Sequence, residues 1–285
     1  MGRFNRRRSR ANAQSTYRAT VTKLVYIGGY GHSGSTLVEY LMTASPQVIA
    51  CGEVESAARE GMGKSRCTCG ELTKDCPIWG AIIEASDPNA WTHQDLALAL
   101  LRHVSDDYRG LIDSSKTARH SAAVPFGLRR RLGRDFQLVH IVRDPRAICW
   151  SALKKAARKG HAHSKRALRC VLATLGWWVA NLACELFGWM HPDQYVRLRY
   201  EDVVRSPREA VGNLLKAILP RSACRFETLG VGANRHQLYG NRMRSEPPAL
   251  GDIKEDQAWH ADMPAAYRRL VEALSWPLRR RYRYS

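Results

Sequence analysis

The chain has 285 residues, 45% of them hydrophobic, which is enough for one large domain with a full-sized buried core. It carries 45 lysines and arginines against 26 acids, and this formal net charge of +19 favours anionic ligands, nucleic acid or an anionic surface as partners. Eight cysteines in a chain of this length do not require a disulfide scaffold. The composition therefore describes a globular protein and excludes a small disulfide-stabilised one.

The N-terminal arm, residues 1–20, contains six arginines, no acids and few apolar residues. Such a segment buries little apolar surface, which predicts a disordered basic arm in front of a single domain over residues 21–285. The arm is arginine-rich like a transit peptide, but a solvated tail is the favoured interpretation, and it lacks the apolar stretch of a secretory signal. We therefore expect a cytoplasmic protein.

The first patterned segment is an apolar strand over residues 23–28, followed by a glycine-rich turn and a helix that starts near Thr36. This order is typical of a phosphate-binding loop. Aligning Gly29, Gly34 and Thr36 with the nucleotide-kinase pattern G-x-x-x-x-G-K-[ST] places Ser35 where the kinase has its lysine. Turn amides and a helix N-terminus bind a smaller anion without that lysine, so the loop favours a phosphorylated donor other than a triphosphate.

Residues 59–80 are rich in glycine, cysteine and proline and are predicted to form a Cys-containing loop. Cys67, Cys69 and Cys76 lie within it, and three states are open for them. They could bind a zinc ion if a histidine or Cys51 supplied the fourth ligand, form a disulfide, or stay free thiols.

Three further apolar segments predict strands within residues 109–116 and over residues 136–142 and 195–200. They alternate with helical stretches, which predicts a parallel sheet with helices on both faces. In such sheets the ligand binds beyond the carboxyl ends of the strands. The glycine-rich turn and the polar runs 113–116 and 143–146 all end strands, so the sequence predicts one site at this edge.

The most apolar stretch, residues 170–190, is long enough to raise the question of a membrane span. Asn181 and Glu185 interrupt it, which favours a buried helix, and no transmembrane segment is expected. Its tryptophans are expected to lie in the core rather than on a substrate-stacking surface. These tryptophans are Trp177, Trp178 and Trp189.

Three segments, in this order and spacing, resemble the sulfotransferases that use 3′-phosphoadenosine 5′-phosphosulfate (PAPS), especially the bacterial members and the tyrosylprotein-type branch. The first is residues 32–37, which are similar to the family's 5′-phosphosulfate loop. The second is Arg143 with Ser151 on the following helix, which is similar to the family's 3′-phosphate site, and the third is the Arg-Tyr-Glu-Asp run at 199–202. The resemblance spans roughly residues 23–220. It implies an α/β fold with a P-loop-like central parallel sheet flanked by helices on both faces.

The resemblance also implies that PAPS is the donor, that 3′-phosphoadenosine 5′-phosphate (PAP) is the product, and that no metal is required. The implied donor-binding residues are His32, Ser33, Gly34, Ser35, Thr36, Leu37, Arg143, Ser151 and Tyr200. Chemistry agrees for Arg143 and Ser151, because a guanidinium fork and a hydroxyl give a phosphate charge-assisted hydrogen bonds. His161 and His163 are expected to lie in a mobile loop over this cofactor.

Four side chains are the candidate catalytic residues. Glu53 resembles the family glutamate on the acceptor side and is the predicted base, while Glu55 is the alternative, since the register of the tyrosylprotein-type branch falls one residue later, on Val54. Lys116 matches a lysine that contacts the transferring group and is assigned to the leaving oxygen. His32 stands where many relatives have arginine or lysine; it could stabilise the bridging oxygen or act as an acid, and its protonation is open.

The predicted function is in-line transfer of a sulfuryl group from PAPS to a hydroxyl of a small-molecule, carbohydrate or lipid acceptor. One alternative is a kinase-like P-loop enzyme, which the missing lysine disfavours. The other is a basic nucleic-acid-binding protein, but no recognition motif is present and no specific nucleic-acid partner is expected. The acceptor is not encoded in a motif; the Cys-containing loop and residues 229–259 are expected to shape its pocket, with Tyr239, Arg242 and Arg244 closing over the nucleotide.

Overall fold

The structure is a computed structural model that describes residues 22–62, 66–84, 91–104, 107–117, 121–158, 166–220, 222–229 and 234–284. The arm over residues 1–20 and the segment with His161 and His163 lie outside the described residues, so the predictions made for them stay predictions.

Five strands and eleven helices make up the regular structure of the described residues. The strands are β1 (Lys23–Gly28), β2 (Val48–Ala50), β3 (Gly110–Asp113), β4 (Phe136–Val142) and β5 (Tyr195–Arg199). The helices are α1 (Ser35–Met42), α2 (Val54–Glu60), α3 (Trp79–Glu84), α4 (His93–His103), α5 (Val124–Leu132), α6 (Pro145–Arg158), α7 (Arg166–Met190), α8 (Tyr200–Arg205), α9 (Pro207–Ile218), α10 (Ala258–Asp262) and α11 (Ala265–Arg281).

The strands form one parallel sheet in the order β2-β3-β1-β4-β5. β1 is central: its Tyr26 pairs with Asp113 of β3 on one side and with Leu138 of β4 on the other. β1, β3 and β4 are buried almost throughout, as the near-continuous apolar runs predict for strands covered on both faces. The predicted fold class, a P-loop-like parallel sheet flanked by helices, is confirmed.

Alternating residues of β1 pack into two separate cores. Leu24 and Tyr26 face a cluster that includes residues of α2, α3, α4, α5 and α7. Val25 and Ile27 face a second cluster built with α1, α8 and α9. Because successive side chains of a strand point to opposite faces, one buried strand anchors both helix layers, and the loops at its carboxyl end are held between them.

Two parts of the structure differ from the expectations. The segment predicted as a loop over residues 59–80 contains the end of α2 and the start of α3. The expectation that α7 is a buried helix, with its tryptophans in the core, holds for one face only: Trp177 is fully buried, but Trp189 is 81% exposed. A helix that covers a sheet buries a stripe of its surface rather than its full circumference, and apolar content alone does not say which side chains lie in that stripe.

The helix α7 is also the one helix among the described residues that is long and apolar enough to cross a membrane. Half of its most apolar window is buried inside the protein, and the other half is not. Length and composition alone are therefore weak support for a membrane span here.

Candidate active site

The loop between β1 and α1 is shaped by two glycines that touch other parts of the site. Gly29 has φ of 124°, and a Cβ there would lie 2.3 Å from the carbonyl oxygen of Ile141, so the loop crosses directly over the end of β4. Gly34, with φ of 93°, precedes α1, and a Cβ there would lie 2.4 Å from the ring of Tyr200. The loop is thus closed tightly against the sheet edge, and the first-turn amides of α1 open towards the adjoining cavity.

Three non-glycine residues among those described have a left-handed backbone, and two of them, His32 and Lys116, lie in this site. The loop is further fixed by Thr117, whose Oγ1 accepts a hydrogen bond of 2.8 Å from the Gly29 amide. The Tyr26 hydroxyl donates to the carbonyl oxygen of Lys116. A side chain of β1 and one from the loop after β3 therefore hold the backbone at Lys116 and at Gly29, and left-handed residues fixed in this way are common at functional sites.

Two cavities open at the carboxyl edge of the sheet. The larger, of about 670 Å³, is lined by the glycine loop, the end of β4, α6 and residues 240–243. The smaller, of about 370 Å³, is lined by Tyr30, the start of α2 and Ser115. Both are lined by Gly31, His32, Glu53 and Lys116, so these residues form the boundary at which the two cavities meet.

The far wall of the larger cavity is cationic. Arg143 lies at the end of β4, with its guanidinium 4.2 Å from the ring centroid of Tyr200, and its Nη1 donates a 2.9 Å hydrogen bond to the carbonyl oxygen of His32. Its Nη2 is buried and makes no hydrogen bond, although Asp256 Oδ2 lies 3.8 Å away. An arginine held in place with an unused buried N–H group is suited to an incoming anion.

The helix α6 adds three more polar side chains to this wall. Ser151, Lys155 and Arg158 all line the cavity, and their spacing of four and three residues places them on one face of the helix. The hydroxyl of Ser151 lies 3.3 Å from Nδ1 of His32. Together with Arg143, the wall thus carries one hydroxyl group and three cationic side chains. Such groups bind phosphate through charge-assisted hydrogen bonds.

His32 is partly buried and lies among cations. Burial, followed by the charges of Lys155, Lys116 and Arg143, lowers the pKa of His32 to about 4. The imidazole is therefore neutral at pH 7, and it can accept a hydrogen bond at one nitrogen and donate from the other. The surroundings of His32 thus favour the neutral imidazole in the protein without its substrates.

Glu53 and Lys116 form an ion pair at the boundary of the two cavities. Both side chains are about one-fifth exposed, so each reaches the solvent of the cavities while it contacts the other. Glu53 lies directly before α2, and its amide donates to the carbonyl oxygen of Tyr239 at 3.1 Å. The pair places a carboxylate and an ammonium group at one point, as proton transfer next to a developing negative charge requires.

The end of β3 holds the start of α2 and so directs Glu53. Asp113 is fully buried, its Oδ2 lies 2.6 Å from Nε2 of His93, and its Oδ1 accepts from the amide of Ser115 at 2.9 Å. The Ser115 hydroxyl accepts from the amide of Glu55 at 2.9 Å. Burial lowers the pKa of His93, but the charge and hydrogen bond of Asp113, together with the charge of Glu55, outweigh it and the pKa is raised. The His93–Asp113 contact thus supports the backbone on which Glu53 stands.

Most of the residues named from the sequence line the larger cavity. They are His32, Gly34, Ser35, Thr36, Leu37, Glu53, Lys116, Arg143, Ser151, Tyr200 and Arg242. Ser33 does not line it: its side chain is buried, and its Oγ has no hydrogen-bond partner. Glu55 lines only the smaller cavity, and Tyr239 and Arg244 line neither.

Sequence reasoning missed Lys155, Arg158, Asn241 and Met243, which also line the larger cavity. The signal for the first two was present, because they follow Ser151 at helical spacing within the basic region. Asn241 and Met243 flank Arg242, one of the residues expected to close over the nucleotide, but nothing in the sequence distinguishes these two neighbours as cavity-lining residues.

Comparison with known proteins identifies the family of this chain. Residues 25–218 match the family model described as "Sulfotransferase family". Among solved structures, a sulfotransferase domain from the curacin biosynthetic pathway is 17% identical, with a TM-score of 0.50, and the match covers 89% of this chain and 98% of that one. A sulfotransferase domain from the olefin synthase of Synechococcus PCC 7002 is 19% identical, with a TM-score of 0.52 and coverage of 89% and 94%.

A mouse sulfotransferase, SULT7A1, whose structure was determined in complex with PAP, is 11% identical, with a TM-score of 0.51 and coverage of 90% of this chain and 85% of that one. No curated protein sequence matched the chain. At these identities the structures show the shared fold, while the family model matches more than half of the chain. The chain therefore belongs to the sulfotransferase family.

Proposed function

We propose that the protein transfers the sulfuryl group of PAPS to a hydroxyl group of an acceptor molecule. The observation that carries this proposal is the junction of two cavities at His32, Glu53 and Lys116. A transferase with two substrates needs two binding spaces that meet where the reacting atoms lie. The larger cavity, with its glycine loop and cationic wall, suits the donor, and the smaller one suits the acceptor.

The residues of the larger cavity fit PAPS at both of its charged ends. The glycine loop and the N-terminus of α1 supply backbone donors for the 5′-phosphosulfate. Arg143, with its free buried Nη2, and Ser151 are assigned to the 3′-phosphate. Lys155 and Arg158 extend the same wall and add charge that would strengthen binding of the nucleotide.

The proposed chemistry is one in-line displacement at sulfur. The acceptor oxygen forms a bond to sulfur while the bond from sulfur to the phosphate oxygen breaks, and PAP leaves. Glu53 takes the proton of the acceptor hydroxyl, and Lys116 stabilises the negative charge on the leaving oxygen. Neutral His32 donates a hydrogen bond near the bridging oxygen. Since side chains and loop amides supply the charge stabilisation, the step as proposed requires no metal.

Glu53 is preferred over Glu55 as the base because of its position. Glu53 lines both cavities and contacts Lys116, whereas Glu55 lines the acceptor side alone. A base has to reach the acceptor hydroxyl at the point where the sulfuryl group arrives, and only the boundary of the cavities satisfies that condition.

The acceptor class stays a proposal: a small molecule, a carbohydrate or a lipid that presents a hydroxyl to the smaller cavity. That cavity is lined by Tyr30, Ser56 and Arg59 besides the two glutamates, a mixture of aromatic and polar groups. Cytoplasmic location and the lack of a specific nucleic-acid partner also stay predictions. The kinase alternative is disfavoured by Ser35, which lies at the start of α1 where a kinase loop carries lysine.

Calorimetric titration tests the donor assignment. PAP, ADP and magnesium ATP are titrated into the full chain and into Arg143→Ala. We expect PAP to bind tightest and the variant to lose on the order of tenfold to a hundredfold in PAP affinity, since it removes a charge-assisted phosphate contact. ADP, which lacks the 3′-phosphate, is expected to bind both proteins about equally. Preference for magnesium ATP, or equal loss for ADP and PAP, would contradict the assignment.

A further inference from the structure

A second cluster of reactive side chains lies away from the two cavities. Cys67, Cys69 and Cys76 come together with His236, and their ligand atoms all lie within 4.8 Å of one another. Cys67, Cys76 and His236 are buried, and Cys69 is the most exposed of the four. The histidine comes from a distant part of the chain, so the fold rather than a sequence motif assembles the group.

We propose that these four residues bind a structural zinc ion. The Sγ atoms of Cys67 and Cys76 are 3.6 Å apart, and Cys76 Sγ lies 3.3 Å from Nδ1 of His236. Two thiolates on a tetrahedral zinc, each about 2.3 Å from the metal, lie roughly 3.8 Å apart, and a thiolate and an imidazole nitrogen roughly 3.5 Å apart. The observed separations are close to both values, and three sulfurs with one nitrogen make a Cys₃His set typical of structural zinc.

A disulfide fits the same atoms less well. A disulfide bond joins sulfurs about 2.05 Å apart, much closer than the 3.6 Å between Cys67 and Cys76, and it would leave Cys69 and His236 without a role. A single bound zinc ion would instead use all four side chains as ligands.

The zinc would fasten the Cys-containing loop to a segment that supports the active site. The loop residue Thr68 exchanges hydrogen bonds with Gln237, and Trp79 Nε1 donates to the carbonyl oxygen of His236 at 2.6 Å. The amide of His236 in turn donates to Ala50 of β2 at 2.7 Å. The ion would therefore join the Cys-containing loop to the segment around His236. That segment in turn is bonded to β2 at the edge of the sheet.

Metal analysis of the full chain tests this. The protein is purified without chelators, and zinc is measured by plasma mass spectrometry beside the variants Cys67→Ser, Cys76→Ser and His236→Asn, with Cys224→Ser as the matched control. We expect about one zinc per chain in the wild type and the control, and a large loss of zinc in the three variants. Cobalt(II) exchanged into the wild-type protein is expected to give intense visible bands of a tetrahedral thiolate site, and this measurement does not depend on any variant folding.

Two results would overturn the proposal. One is a wild-type protein that takes up neither added zinc nor cobalt while all its thiols remain reduced. The other is an intact-mass or peptide-mapping result that shows a Cys67–Cys76 disulfide in the purified protein. A chelator that removes the metal is expected to lower the melting temperature of the wild type and the control alike, since the ion contributes to folding free energy.

A different observation, on the outer face of α7, carries a second inference. The helix α7 exposes seven large apolar side chains that follow one another at alternating spacings of four and three residues. We call this set the α7 stripe. They are Leu168, Leu172, Leu175, Val179, Leu182, Leu186 and Trp189. No polar side chain of α7 belongs to its exposed residues. A solvent-facing side of a helix normally carries polar residues, so this stripe is suited to a partner.

We infer that the partner is α7 of a second copy, packed antiparallel about a twofold axis at Val179. In that arrangement Leu172 lies opposite Leu186 of the second copy, and Leu175 lies within one residue of the position opposite Leu182, so the stripe is complementary to itself. A strict alternation of four and three residues is typical of helices whose side chains interlock with those of another helix. Binding to a flat lipid surface does not require such a strict alternation. Each of the seven side chains is at least 40% exposed in the single chain, and pairing two stripes would remove this apolar surface from water along the whole length of α7.

Sedimentation velocity tests the dimer, with Leu175→Glu and Val179→Glu as variants and Leu72→Glu, an exposed leucine outside α7, as the control. We expect a dimer for the wild type and the control and monomers for the α7 variants. Val179→Cys is expected to form a disulfide-linked dimer, and Leu168→Cys is not, because the antiparallel arrangement separates the two copies of that residue. A monomeric wild type would overturn the inference, and binding to anionic lipid vesicles that the α7 variants lose would assign the stripe to a membrane surface instead.

Discussion

Glu53 and Glu55 are two residues apart, yet the start of α2 directs them to different places. Glu53 precedes the helix and contacts Lys116, whereas Glu55 lies in its first turn and faces the smaller cavity. The two-residue separation therefore decides which of them lies at the boundary of the two cavities. The sequence narrowed the base to this pair, and the ion pair with Lys116 favours one member.

Replacing each glutamate in turn tests which of them is the proposed base. Glu53→Gln is expected to lower the rate of PAP release from PAPS on the order of 10²- to 10⁴-fold, because an amide cannot accept the acceptor's proton. Glu55→Gln, the matched control, is expected to change this rate much less. The rates are measured with the best acceptor from a panel of simple alcohols and phenols. The affinity for PAP is expected to stay similar in both variants. If Glu53→Gln and Glu55→Gln lowered the rate equally, Glu53 would have no special role.

Glu39 is a second carboxylate with an unusual setting. It is fully buried on α1 and accepts hydrogen bonds from the Gly52 amide at 2.7 Å and the Ser114 hydroxyl at 2.8 Å. Burial raises the pKa of Glu39 from 4.5 to about 7, although these hydrogen bonds act in the opposite direction. The folded protein therefore retains a proton between pH 4.5 and 7 that the unfolded chain has released.

The sign of this linkage predicts that stability falls as the pH rises through that window. The contribution of Glu39 to the free energy of unfolding is expected to decrease by about 3 kcal/mol between pH 4.5 and pH 7. Urea unfolding at pH 5 and pH 7.5 measures it, and Glu39→Gln, which cannot ionise, is expected to lose less stability over the same interval. Identical pH dependence in both proteins would show that Glu39 titrates normally.

At the scale of elements, the site depends on how closely the glycine loop meets α8. The Gly34 backbone touches the ring of Tyr200, on which Arg143 stacks, so a side chain at Gly34 would disturb the proposed 3′-phosphate site from the side of the loop. This contact joins two of the segments that resemble the family, residues 32–37 and residues 199–202.

Gly34→Ala is expected to weaken PAP binding on the order of 10²-fold, because the added methyl group would displace Tyr200 and with it Arg143. Gly61→Ala is the matched control: Gly61 also has a positive φ, of 83°, but nothing lies within 4 Å of the added Cβ. That variant is expected to lose about 1 kcal/mol of stability and to keep its PAP affinity. Calorimetry and thermal unfolding measure the two effects, and equal affinity losses would refute a specific role for the Gly34 contact.

The elements that the sequence predicted best are the buried strands. The apolar run of β4 begins and ends at the predicted residues, since a strand covered on both faces needs apolar side chains throughout. The carboxyl ends of β1, β3 and β4 then brought the glycine loop, Lys116 and Arg143 together, as strand topology requires. The location of the site followed from local patterns.

What could not be predicted depends on contacts between distant segments. His236 joins three cysteines that lie far from it in the sequence, and no local pattern separates Arg242, which lines the larger cavity, from Tyr239 and Arg244, which do not. The exposure of Trp189 likewise depends on which side of α7 the sheet and α11 cover. Apolar composition shows that a helix packs somewhere, and only the tertiary structure shows on which side.

At the scale of the whole molecule, the positive charge is divided between the domain and the arm. Residues 1–20 hold six arginines and no acid, so their deletion reduces the net charge from +19 by six, to +13. We expect the deletion to weaken binding of non-specific DNA or RNA and to reduce its salt dependence, while PAP affinity is unchanged. Fluorescence anisotropy over a range of salt concentrations measures the first, and calorimetry the second. Loss of PAP binding on deletion would show that the arm contributes to the donor site.

The central position of β1 has a consequence for how the protein acquires its structure. β1 ends at Gly28, but its two neighbours in the sheet begin only at Gly110 and Phe136. During synthesis the strand that carries the glycine loop therefore leaves the ribosome long before either partner, with its apolar side chains and unpaired amides exposed. Pairing across such sequence distances is slow because the intervening loops must close first. We expect refolding on a timescale of seconds or longer, with a requirement for chaperones that hold β1 until β4 has emerged.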